Sequence, residues 1–389
     1  FVAENFSNSE KLEENLQIAL TIANKSDFND ILKPFYVHQI LNRKNYELPV
    51  EILSDTPDIE ARLRKIAAKL VARPKGIFAA DESGGNIHKK FESIELEDTF
   101  ENRRRYREMF FKTPDIENYL SGIILFEETT DQKTSEGVNF VEYIKNRGML
   151  TGVKLDGGLY PLSGFDGETI AHGLDSLDEK LQKYSKMGID FAKWRVAFEI
   201  NEEKDTPSNV AIATNLRILA RYAKACQNYG IVPIVEPEVV YTGKHTIKQC
   251  RVVTEKILKG LFEELKLFEV DLEGMILKTN MVLAGSESEI QSSSREVARE
   301  TVEVLKRSVP KELAGVVFLS GGQTETQATD NLQEITNLGP FNWGVTYSYA
   351  RALQLPALQA WAGKDENIHQ AQLLFLERVA ANSHALYKN

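Results

Sequence analysis

Two lysines stand inside apolar runs, Lys193 in Phe-Ala-Lys-Trp and Lys278 in Gly-Met-Ile-Leu-Lys. A buried ammonium is costly to desolvate, so such a lysine is either paired or used in chemistry. A desolvated lysine beside a second cation gives up its proton more readily, and its free amine can then attack a carbonyl to form a Schiff base. Lys278 and Lys193 are candidates for such a pair. A protonated imine is an electron sink that stabilises a carbanion on the neighbouring carbon, which is what making or breaking a C–C bond requires. Asp81 and Glu236 are suited to move the protons, Asp81 from a substrate hydroxyl and Glu236 during imine formation and hydrolysis. For any single lysine a structural ion pair is the competing reading; for the whole set it is the weaker one.

Two further segments have the composition of a phosphate site. Ser320-Gly321-Gly322-Gln323 and Ser348-Tyr349-Ala350-Arg351 each follow an apolar run, where backbone N–H groups at a helix start hold phosphate in many barrels. Arg351 adds a charge-assisted contact. Lys154, Arg195 and Ser83 are candidates for a second phosphate. A sugar bisphosphate is the substrate these features imply.

These side chains meet only if the right elements carry them. After Pro74, short β-branched runs alternate with longer amphipathic ones, the pattern of strand and helix units around a parallel sheet. Eight strands are expected, at Gly76–Asp81, Gly122–Phe126, Thr151–Asp156, Phe191–Val196, Ile231–Pro237, Gly274–Lys278, Gly315–Gly321 and Trp343–Ala350. Helices are expected at Ile59–Val71, Asp98–Phe111, Leu174–Met187, Ala211–Tyr229, Ile247–Leu265, Arg295–Ser308 and Glu325–Leu338. Eight such units over about 300 residues suit an α/β fold of the (β/α)8, or TIM, barrel type better than an open sheet. The strands' carboxyl ends then converge on one mouth, and period-two alternation turns Lys193 with Arg195, and Glu236 with Glu238, to one face. No G-x-G-x-x-G follows the first strand, so no dinucleotide site is expected.

Composition narrows the classes. The chain has 389 residues, 42% of them hydrophobic, and a net charge of -10. That describes a folded globular chain without the basic face that nucleic acid demands. No apolar run reaches the roughly 20 residues of a membrane span. Cys226 and Cys250 form no disulfide framework and fit a reducing compartment. The six histidines, His38, His88, His172, His245, His369 and His384, lack metal-binding spacing, so no metal and no cofactor are expected. The first residue is Phe1, which is consistent with a targeting segment removed upstream. Composition shifts near residue 56, giving two expected units: a helical extension over 1–55 of unassigned role and a barrel domain over 56–389. The extension reads as two amphipathic helices, packed on the barrel or serving oligomerisation or a partner.

As an ordered set these residues resemble the class I fructose-1,6-bisphosphate aldolases. The resemblance is carried by Ala-Ala-Asp81-Glu-Ser83, Glu101-Asn-Arg-Arg-Arg-Tyr-Arg, Gly-Val-Lys154-Leu-Asp-Gly-Gly, Phe-Ala-Lys193-Trp-Arg195, Pro-Ile-Val-Glu236-Pro-Glu238, Leu-Glu273-Gly-Met-Ile-Leu-Lys278-Thr-Asn-Met-Val, Phe-Leu-Ser320-Gly-Gly-Gln and Tyr-Ser348-Tyr-Ala-Arg351, and it runs from about Thr56 to the last helix. It implies metal-free, reversible cleavage of fructose 1,6-bisphosphate to two triose phosphates, in glycolysis and gluconeogenesis, by a cytoplasmic homotetramer. It implies Lys278 as the Schiff-base lysine, Glu236 as general acid/base supported by Glu238 and Lys193, and Asp81 at the substrate's C4 hydroxyl. Ser320, Gly321 and Arg351 fall on the family's C1-phosphate site, with Lys154 and Arg195 on the C6-phosphate side.

Four departures stand out. Ala350 replaces the usual Gly before the phosphate arginine, and its Cβ is expected to crowd a backbone approach. Thr279 replaces the usual Pro. Gly84-Gly85-Asn86 differs from the family's loop after Ser83. The sequence ends at Asn389 without the terminal tyrosine that many members use in proton transfer, so either that tail is dispensable or turnover is altered. The competing functions are a Schiff-base aldolase preferring another phosphorylated sugar, such as fructose 1-phosphate, and a scaffold whose activity has decayed.

Overall fold

The computed structural model describes residues 56–388; the two helices expected before residue 56 lie outside them. Ten strands follow in chain order: β1 (Gly76–Ala80), β2 (Leu120–Leu125), β3 (Leu150–Lys154), β4 (Leu159–Pro161), β5 (Thr169–Ala171), β6 (Phe191–Phe198), β7 (Val232–Val239), β8 (Ile276–Thr279), β9 (Gly315–Phe318) and β10 (Gly344–Tyr349). The α-helices are α1 (Thr56–Leu70), α2 (Gly84–Glu92), α3 (Phe100–Phe111), α4 (Glu127–Asp131), α5 (Phe140–Asn146), α6 (Leu177–Lys186), α7 (Asn209–Asn228), α8 (Ile247–Leu267), α9 (Ser294–Ser308), α10 (Glu325–Asn337), α11 (Arg351–Trp361) and α12 (Ile368–His384).

Eight of the strands close a parallel barrel in the order β1-β2-β3-β6-β7-β8-β9-β10, with β10 paired back to β1. Period-two alternation explains why the strands are so uniformly apolar. In β1, Ile77 and Ala79 join the cluster inside the barrel, while Phe78 and Ala80 join the larger cluster under the helices. Both faces are buried, so no solvent-facing polar row is needed. The inner cluster adds Leu150, Phe191, Ile234, Ile276 and Val317, and it is completed by Leu63, Ile66, Ala67 and Leu70 of α1. That amphipathic helix therefore caps the barrel's amino-terminal mouth and leaves the opposite mouth for chemistry.

The eight expected strands are all present, and several of their carboxyl ends shift for one reason. Parallel neighbours diverge at the carboxyl mouth, so a residue beyond that point loses its ladder partner. Asp81, Asp156 and Ser320-Gly321, expected at strand ends, lie just past β1, β3 and β9. Conversely, β6 and β7 stay paired from Phe191↔Val232 to Phe198↔Val239 and run two residues further than expected. Gly84-Gly85-Asn86 is not a loop but the first turn of α2: Asn86 and Ile87 N–H both reach the Ser83 carbonyl. Two glycines are poor helix formers; burial of Ile87 and Phe91 on the same helix overrides them. The antiparallel β4–β5 hairpin is an addition that the sequence did not announce. No helix of the described residues is long and apolar enough to cross a membrane.

Candidate active site

The β7–β8 ladder holds only Ile234↔Ile276 and Val235↔Leu277. One residue later the strands have parted, and the side chains of Glu236 and Lys278 fill the opening. Lys278 Nζ lies 3.1 Å from Glu236 Oε1. The other oxygen, Oε2, lies 3.2 Å from Lys193 Nζ, which in turn sits 2.7 Å from Asp81 Oδ2. Four buried groups thus form one chain of alternating charge, Lys278–Glu236–Lys193–Asp81, contributed by β8, β7, β6 and the end of β1.

Burial alone would discharge Asp81, Glu236 and Lys193, but their neighbours outweigh it. Desolvation pushes the Asp81 carboxyl up, yet Lys193, Lys278 and Lys154 hold it far below the usual carboxylate range. Glu236 is likewise held down, against its burial, by Lys193, Lys278 and Arg195. Lys193 and Lys278 are both partners of Glu236, flanking its opposite oxygens. Against the desolvation of Lys193, Asp81, Glu236 and Asp156 raise its affinity for a proton.

A second group borders the first. Arg195 Nε is 2.5 Å from Glu238 Oε2, and burial of that guanidinium is outweighed by Glu238, Glu236 and Asp156, which strengthen its hold on its proton. Lys154 Nζ lies 2.6 Å from Asp156 Oδ1, while Asp156 Oδ2 accepts from the Arg195 backbone N–H at 3.1 Å. The two cations expected on one phosphate side are therefore held together by Asp156. Ser83 is the N-cap residue of α2, without a side-chain capping bond, and half-buried.

On the other side of the mouth, Ser320, Gly321 and Gly322 form the turn between β9 and α10. Gly321 and Gly322 have φ of +27° and +83°, and a Cβ on Gly322 would stand 2.2 Å from the Tyr241 ring. Only glycine tolerates that combination. Ser348, at the end of β10, is buried with its hydroxyl free of protein partners. Arg351 opens α11 and is exposed; its Nη2 donates to the Gln323 carbonyl at 3.3 Å, joining the two loops. Ala350, the N-cap residue of α11, has a φ of -108° and packs against the inner apolar cluster.

Several contributors escaped the sequence reading. Asn280, buried two residues after Lys278, accepts from the Val239 N–H at 2.9 Å and donates to Thr254 Oγ1 at 3.3 Å. It thereby replaces the ladder bond that β7 and β8 no longer share. Glu82, next to Asp81, bonds the buried Arg107 of α3 and Lys90 of α2, and Lys90 reaches Gln354 Oε1 of α11 at 2.5 Å. The tight clustering of charge in Asp81-Glu82 and in the Arg-rich start of α3 was the available signal. Among the described residues, no group of His, Cys, Asp and Glu is arranged to hold a metal ion.

Comparison with known proteins gives a consistent picture. The family model for class-I fructose-bisphosphate aldolase matches residues 62–389. The chain is 47% identical over 330 residues to the non-muscle-type fructose-bisphosphate aldolase of Lethenteron camtschaticum, covering 84% of this chain and 90% of that protein. It is 48% identical over 320 residues to the cytosolic fructose-bisphosphate aldolase 4 of Arabidopsis thaliana, covering 82% of this chain and 81% of that one. Among solved structures, the fructose-bisphosphate aldolase of Plasmodium falciparum, crystallised with TRAP and a small-molecule inhibitor, superposes with a TM-score of 0.84 at 45% identity, covering 85% of this chain and 95% of its own.

Proposed function

Because the chain belongs to the class-I fructose-bisphosphate aldolase family, we propose that Lys278 forms its Schiff base and that Glu236, Lys193, Asp81 and Glu238 serve the proton transfers. The reaction itself is the family's: reversible aldol cleavage of fructose 1,6-bisphosphate to dihydroxyacetone phosphate and glyceraldehyde 3-phosphate, through a lysine Schiff base and without a metal. The observation that carries the residue assignment is the buried Lys278–Glu236–Lys193–Asp81 chain.

In this assignment Lys278 attacks the C2 carbonyl and passes its surplus proton to Glu236, the oxygen lying 3.1 Å away. The carbinolamine loses its hydroxyl as water, with Glu236 returning the proton, to leave a protonated imine. Asp81, held ionised by Lys193, removes the C4 hydroxyl proton. The C3–C4 bond then breaks, its electron pair flowing into the imine as an enamine, and the aldehyde departs. Protonation at C3 and hydrolysis release dihydroxyacetone phosphate. Glu238, tied to Arg195, acts through its neighbours. The Ser320-Gly321-Gly322 turn, Ser348 and Arg351 are assigned the C1 phosphate, and Lys154, Arg195 and Ser83 the C6 phosphate. A cytoplasmic homotetramer completes the proposal, supported by family membership and by a relative described as cytosolic.

Borohydride reduction with dihydroxyacetone phosphate tests the assignment. A stable adduct is expected on Lys278 by peptide mapping, unaffected by EDTA and absent in Lys278→Met. An adduct on Lys193 instead, or none in a folded protein, overturns it.

A further inference from the structure

We propose that Gln323 is a positioning residue for the phosphate on the dihydroxyacetone half of the substrate, a role that rests on the C1-phosphate assignment above. Three bonds from this one buried residue reach three elements. Its N–H donates to the Ser320 carbonyl at 2.9 Å and closes the glycine turn after β9. Its own carbonyl accepts from Arg351 Nη2 at 3.3 Å, and its Oε1 accepts from Nδ2 of the buried Asn331 in α10 at 2.7 Å. Gln323 Nε2 and the buried His245 Nδ1 both lack protein partners, and their residues line one cavity of about 10 Å³. That volume is at the lower limit of what a single water needs.

The physical need for such an anchor follows from the turn itself. Gly321 and Gly322 are free to adopt their positive φ, but the same freedom leaves their N–H groups undirected unless something fixes the turn. Arg351 has the same difficulty: a long exposed side chain loses rotamer freedom when it grips an anion. Among the described residues, the Gln323 carbonyl is the hydrogen-bond partner recorded for its guanidinium. Asn331 holds the Gln323 side chain, and the Gln323 backbone holds both phosphate-facing groups. None of its recorded bonds goes to Lys278, Glu236, Lys193 or Asp81, so its effect belongs to phosphate capture rather than to the imine.

That separation sets the test. Borohydride trapping at Lys278 is measured against concentration with dihydroxyacetone phosphate and with dihydroxyacetone, which lacks the phosphate, in wild type, Gln323→Ala, Gln323→Met, Asn331→Ala and the Gln323→Ala/Asn331→Ala pair. Gln323→Met fills the space without either polar atom, which keeps the test available if the alanine variant does not fold. The half-saturating concentration of dihydroxyacetone phosphate is expected to rise about tenfold, the scale of one lost positioning bond. Trapping of dihydroxyacetone is expected to stay within about twofold, and the pair to lose little more than the worse single variant, as expected of two residues acting through one bond. Equal losses with both ligands, or no change with either, overturn the proposal. Absence of any adduct in wild type would instead sink the Schiff-base assignment beneath it.

Discussion

In the proposed assignment Lys193 is a buried lysine that serves without being the nucleophile. With Asp81 at 2.7 Å and Glu236 at 3.2 Å its charged form is favoured and it holds both carboxylates down, while the other oxygen of Glu236 lies 3.1 Å from Lys278. The neighbouring Glu82 obeys the same rule with a measurable consequence. Despite its burial, Arg107 and Lys90 hold its carboxyl down at about 2, against an ordinary value of 4.5. A carboxylate whose folded pKa is depressed adds stability above its unfolded pKa and loses it as pH falls towards the folded one. That difference corresponds to about 3 kcal/mol. Glu82→Gln is therefore expected to be less stable than wild type by about that amount across pH 5–8, with the gap closing as pH falls from 4.5 towards 2. Urea unfolding of both proteins at pH 7 and pH 3.5 checks it, and a gap independent of pH would contradict the pairing.

At the scale of elements, the site depends on where strands stop pairing. Glu236 and Lys278 meet because β7 and β8 part after Val235↔Leu277, with Asn280 bridging the gap. Strand identity was legible because β-branched apolar runs are a local property, whereas strand ends were not, since divergence depends on the partner strand. The helix at Gly84 was hidden for a similar reason, as two glycines conceal an amphipathic face that only packing rewards. The glycine turn after β9 makes a prediction at this scale. Gly322→Ala places a Cβ 2.2 Å from Tyr241 at a φ of +83°, so it must shift the turn at a cost of about 1–3 kcal/mol. Its KM for fructose 1,6-bisphosphate is expected to rise at least tenfold, by steady-state kinetics, with a lowered melting temperature.

Across the whole molecule, the barrel separates stability from chemistry by placing them at opposite mouths. The α1 cap, with Leu63 and Leu70 almost wholly buried, seals the amino-terminal end, and every assigned catalytic group lies at the other. Leu70→Ala is expected to cost about 2–5 kcal/mol, as cavity-forming core substitutions do. KM is expected to stay within about twofold. Denaturant unfolding alongside kinetics tests both, and a large change in KM would show that the two mouths are coupled.

The sequence by itself determined the alternation of strand and helix, the barrel, and the presence of lysines and carboxylates at strand ends, because apolar periodicity and misplaced charges are written residue by residue. Asp81, Lys193, Glu236 and Lys278 were all visible as candidates on that ground. Which cation faces which carboxylate was decided only by tertiary structure. Strand order set Lys193 between Asp81 and Glu236, making the two lysines and two carboxylates one alternating chain, and placed Asn280 where no local pattern points. The reason is that a Coulombic interaction at 3 Å depends on the distance between atoms brought together from residues 81, 193, 236 and 278, and that distance exists only once the barrel has closed.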